Sequence, residues 1–147
     1  MAARFISIAL VAGLALAAEA AIQASETVWS GIVMANNVTN PEPIPSQLAK
    51  MEGTLRTLFG YNQFRLIGES STTLKKGDED WTTATKYFSL HVDSKEETGS
   101  GYLLNLQLLQ ENKPLLETEA KLSKRSPLVI KGPQVGDGQL LLLLVVK

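Results

Sequence analysis

His91 is the only histidine in this 147-residue chain, and it stands between Ser89 and Asp93 in the stretch "FSLHVD". Serine, histidine and an acid make a nucleophilic triad when they converge on one point. In an alternating strand, however, these three lie in a row, with successive members roughly 7 Å apart, and a row does not converge. A solvated histidine on the polar side of a strand is therefore expected. A second acidic pair, Glu117 and Glu119, also shares one strand face, and Asp78, Glu79 and Asp80 cluster in "KGDED". Paired carboxylates do acid and base work only where a cleft perturbs one of them, and calcium needs a defined loop of oxygen ligands. Neither pattern is present, so no catalytic residue, metal site or cofactor is expected.

Glycines Gly132, Gly136 and Gly138 in "KGPQVGDG" are the remaining chemical candidates. A phosphate cradle requires a helix N-terminus after the loop. Here "QLLLLLVV" follows, too short for a membrane span and without helical period, so the segment reads as a hairpin with its turn at Asp137-Gly138. The chain has no cysteine, which removes disulfides and thiolate chemistry. With 14 basic and 15 acidic residues and no cluster larger than "KLSKR" at Lys121 to Arg125, nucleic-acid binding is not expected.

The elements that must position these residues begin after the N-terminus. "MAARFISIALVAGLALAAEAA" carries Arg4, an apolar stretch from Phe5 to Ala18 and a small-x-small site ending at Ala20, the pattern of a secretory signal. Residues 1–20 are thus expected to be a signal peptide and 21–147 a single exported domain, periplasmic or extracellular, with no transmembrane anchor in the mature chain. "VWSGIVMA" reads as a strand buried on both faces. The loop "NNVTNPEPIPS" leads to an amphipathic helix of about four turns, carrying Leu48, Met51, Leu55, Leu58 and Phe59 on its apolar stripe and stopping at Gly60. The period then becomes two, with Phe64 and Leu66 opposite Arg65 and Ile67, and Phe88, Leu90 and Val92 opposite Tyr87, Ser89, His91 and Asp93. "DSKEETGSG" reads as a loop, Trp81 as part of another, and "YLLNLQLLQENKPLLETEAKL" as two strands around Glu111 to Pro114.

The expected fold is α+β: one N-terminal amphipathic helix packed on a mainly antiparallel, meander-like sheet of about six or seven strands. A partly closed barrel or sandwich is the alternative. With "LRTLFGYNQFRLIG", the alternating strands and "SPLVIKGPQVGDGQLLLLLVV", the region from Leu48 to Val146 resembles small uncharacterised exported proteins of bacteria that end in a GP-x-x-G-x-G hairpin. The resemblance implies export and a stand-alone domain, and it carries over no functional residue.

A helix on one side leaves the other side of a sheet to be wetted or covered. Arg65, Tyr87, His91, Asn105, Gln107, Glu117 and Glu119 are the candidates for that face. The expected function is a noncatalytic binding or assembly module of the bacterial cell envelope that meets a protein or a glycan. A carboxylate-dependent hydrolase and a structural oligomer subunit joined at strand edges are the rivals.

Overall fold

The computed structural model describes residues 25–147; the segment 1–20, read above as an export signal, lies outside the described residues. The chain is mainly β: β1 (Glu26–Asn36), a 3-10 turn (Ser46–Met51) running into α1 (Glu52–Phe59), then β2 (Gln63–Leu74), β3 (Asp80–Ala84), β4 (Phe88–Thr98), β5 (Gly101–Gln110), β6 (Lys113–Ser123), β7 (Leu128–Val135) and β8 (Gly138–Val146). They form two four-stranded antiparallel sheets, ordered β2-β1-β8-β7 and β3-β4-β5-β6. The expected α+β fold, a helix on a single sheet of six or seven strands, is thus corrected. Among the described residues there are eight strands in two sheets, and the α-helix has eight residues.

The physical source of that correction lies in three segments. Trp81 is 8 % exposed on β3 rather than in a polar loop, because "DWTTA" alternates Trp81 and Thr83 inward with Asp80, Thr82 and Ala84 outward. "DSKEET" continues β4 to Thr98 instead of leaving the sheet, past a bulge between Ser94 and Glu96. The expected long helix starts as a 3-10 turn, and Leu58 is 62 % exposed. A stripe assigned on pure 3.6-residue spacing loses register when its first turn is wound at three residues per turn.

Two apolar layers result. The first fills the space between the sheets with Val28, Ile32, Trp81, Leu90, Val92, Leu104, Leu106, Leu140, Leu142 and Leu144. The second lies outside the β2-β1-β8-β7 sheet, where Trp29, Val33, Phe64, Leu141 and Leu143 meet Leu48 and Leu55 from the helical segment. This explains the unbroken run in β8. Its even-numbered leucines enter one layer and its odd-numbered leucines the other, because the strand is central and covered on both faces. Gly31 belongs to the second layer for a steric reason: a Cβ there would stand 2.5 Å from the Trp29 ring, which lies across the glycine.

Tight turns set the register. Glu111 and Asn112 both have positive φ, 49° and 69°, as a two-residue type I′ hairpin demands. In the last hairpin Val135 pairs with Gly138, and the positive φ of 59° falls on Gly136. The turn residues are thus Gly136-Asp137, the glycine-first pattern of type II′, one residue earlier than the sequence suggests. Among the described residues no helix is long and apolar enough to cross a membrane.

Candidate functional site

Of the four sheet faces, two meet in the inter-sheet core and the outer face of β2-β1-β8-β7 lies under the helical segment. The outer face of β3-β4-β5-β6 is bare among the described residues. Strand alternation sends Leu90, Val92, Leu104, Leu106, Leu108 and Leu122 inward, so their neighbours point out. The register then stacks these neighbours in ranks across the strands. Thr82, His91, Gln107 and Glu117 form one rank, and Asp80, Asp93, Asn105 and Glu119 form the next. Strand spacing and rise give a polar grid roughly 14 Å by 7 Å.

Asp80 and Asp93 face each other directly across β3 and β4, a like-charge pairing that costs stability. Each has a partner of its own. His91 Nε2 stands 3.8 Å from Asp80 Oδ2, and Lys95 Nζ stands 2.8 Å from Asp93 Oδ2. The hydrogen bond to Asp93 raises the pKa of Lys95 above the usual lysine range. His91 Nδ1 lies 3.1 Å from Thr82 Oγ1, so the ring is held at both nitrogens by β3. The triad types in "SLHVD" stay in a row on β4, and the histidine's partners come from the neighbouring strand instead.

The structure brings together five of the seven residues expected on this face: His91, Asn105, Gln107, Glu117 and Glu119. Tyr87 stands in the β3–β4 turn, 51 % exposed, where its backbone carbonyl accepts the Glu111 N–H. Arg65 is on β2, opposite Met34, and belongs to the other sheet. Asp80, Thr82 and Lys95 complete the grid and were missed. The first two needed β3 to be recognised, and the alternation of Trp81 and Thr83 was the available signal. Glu117 and Glu119 are exposed, and neither lines the cavity beside Trp29 or the shallower one beside Ile67. No group of three acidic or histidine side chains with the spacing of a metal site occurs among the described residues.

Two further polar clusters are structural. The Glu79 carboxylate accepts the backbone N–H groups of Lys75, Lys76, Gly77 and Asp78. Those bonds, that from Lys75 first, hold it below the usual carboxylate range. Ser94 of β4 then grips this turn, its Oγ donating to the Gly77 carbonyl. At the same end of the molecule, where Glu26 pairs with Leu74 and a Cβ on Gly77 would touch Glu97, Tyr102 Oη donates to Glu26 Oε1 at 2.6 Å, while Lys124 Nζ bridges Glu26 at 3.0 Å and Glu97 at 2.9 Å. This cluster pins β1 of one sheet to β4 and β5 of the other.

No protein-family model, curated protein or solved structure matches the chain.

Proposed function

We propose that the protein is a noncatalytic, exported binding or assembly module of the bacterial cell envelope, and that the bare outer face of β3-β4-β5-β6 is its contact surface. One observation carries this reading: it is the one sheet face left uncovered among the described residues, and it presents a two-rank grid of donors and acceptors. Such a grid suits an extended polar partner, a glycan or a protein surface, recognised through many hydrogen bonds rather than one deep pocket. The opposed Asp80 and Asp93 support it as well, since a surface kept for solubility alone has no need to align two carboxylates across neighbouring strands. The leader-like residues 1–20 motivate export.

The rivals find less support. A carboxylate hydrolase needs its acids in a concave, water-limited site, whereas Glu117 and Glu119 project from a strand into solvent. An oligomer built by strand pairing needs open edges. Here β3 has five residues, β6 carries Pro114 with Lys113, Glu117, Glu119 and Lys121, β7 is bulged at Pro133 beside Lys131, and β2 is bulged at Ile67 between Arg65 and Glu69. Short edges, prolines, bulges and charges are the features that block edge pairing.

The test compares immobilised full-length chain with a His91→Ala/Asn105→Ala/Gln107→Ala variant and with Arg65→Ala, each challenged with purified envelope glycan and with solubilised envelope protein. Saturable retention of one class that falls at least about tenfold in the triple variant, and stays unchanged in Arg65→Ala, is the expected result. Equal retention by all three proteins would remove the bare face from the reading.

A further inference from the structure

We infer a second, unrelated binding site: the cavity between the 3-10 turn and the adjoining ends of β1 and β8 takes a single-chain amphiphile with an anionic head. The cavity has a volume of about 530 Å³, within the ~300–1,000 Å³ typical of small-molecule sites. Trp29, Met51, Pro127 and Val145 supply apolar lining, and Lys50 and Lys147 bring two cationic side chains to it. No Asp or Glu side chain is among the described lining residues; the nearby Glu69 carboxylate is occupied behind the wall, accepting from Trp29 Nε1 and Gln47 Nε2.

The site is built around Trp29. Its ring lies across Gly31, and its one polar atom is engaged elsewhere, Nε1 donating to Glu69 Oε2 at 3.0 Å. The rest of the indole is therefore an apolar wall. Lys147 Nζ is 5.8 Å from the ring centroid, which places a cation beside that wall. An apolar body thus fits against Trp29 and Met51 while its anionic end meets the lysines, because a charged head gains from cations that stay near solvent and an alkyl chain gains from leaving it. A neutral chain would satisfy only half of this arrangement. A cationic chain would be repelled.

The cavity lies on the helix-covered side of the molecule and shares no residue with the bare face, so either site can fail alone. The probes are decanoate, decanol and decyltrimethylammonium, each kept below its aggregation limit and titrated into full-length protein while tryptophan fluorescence is followed. Saturable binding of decanoate is expected, about tenfold tighter than decanol, weakened by salt, and absent for the cationic chain. Lys50→Gln/Lys147→Gln should remove the preference for decanoate over decanol without changing the melting temperature, since both side chains are at the surface. Binding that is equal for all three probes, or decanoate binding indifferent to the double variant, would overturn the proposal. So would an anionic-vesicle arm in which the protein sediments with the lipid but gives no response to free decanoate.

Discussion

A buried polar contact between the sheets shows how single residues hold this fold. Trp81 Nε1 donates to Ser30 Oγ at 2.9 Å, and Ser30 is fully buried. The bond crosses the inter-sheet layer and fixes where β3 rests on β1. Ser30→Ala would leave the indole N–H without an acceptor among leucines and should cost about 1–3 kcal/mol. Trp81→Phe in that background removes the orphaned donor, so the second substitution should cost less than it does in the wild type. Urea unfolding of the four proteins in the cycle measures the coupling. In sequence, Ser30 is merely a polar interruption in "VWSGIVMA", and its partner is 51 positions away. Periodicity carries no sign of such a pair.

At the scale of elements, β8 packs into both apolar layers. Leu142 belongs to the layer between the sheets and Leu143 to the layer beneath the helical segment, and both are fully buried. Leu142→Ala and Leu143→Ala should each destabilise by about 2–5 kcal/mol. Only the second should also loosen the helical segment, read as faster amide exchange in α1 with exchange in β4 and β5 unchanged relative to global unfolding. The central position of β8 was legible because five consecutive leucines leave no polar face. The alternating strands β4 to β6, and with them His91, Asn105, Gln107, Glu117 and Glu119, were legible for the opposite reason. The second sheet was not. A five-residue strand after a charged turn gives too few periods to register, and no pattern of period two says whether successive hairpins extend one sheet or turn a corner into another.

Across the whole molecule, charge joins the two sheets at one end. Hydrogen bonding from Tyr102, with Lys124 beside it, lowers the Glu26 pKa from its usual 4.5, and backbone donors lower that of Glu79. Both acids therefore stabilise the fold fully above their unfolded pKa, and this contribution is lost as pH falls through the depressed folded values. Burial and then the Glu26 partner raise the Tyr102 pKa, and Glu97 followed by Glu26 raises that of Lys124. Their contributions are complete below the unfolded values and lost as pH climbs through the folded ones. A plateau in melting temperature between about pH 5 and 10 is expected, with a fall on either side. Tyr102→Phe should lower the plateau by a few degrees, for roughly 1 kcal/mol of lost hydrogen bonding, and should move the acid limb to higher pH. An acid limb that does not move would mean that the tyrosine does not hold Glu26.

Consecutive strands pair except at β2–β3 and β6–β7, where the chain crosses between the sheets, and the circuit closes where β8 lies between β7 and β1. The strand that completes both apolar layers is thus the last of the eight to be synthesised. Until it arrives, β1 lacks a partner on one side and the helical segment has little to rest on. Premature burial is disfavoured, because the stabilising contacts between β1 and β8 join residues more than a hundred positions apart and their loop-closure cost comes first. The topology therefore delays folding until β8 has been made, and in the meantime it leaves both apolar faces of β1, "VWSGIVMA", exposed to other unfolded chains.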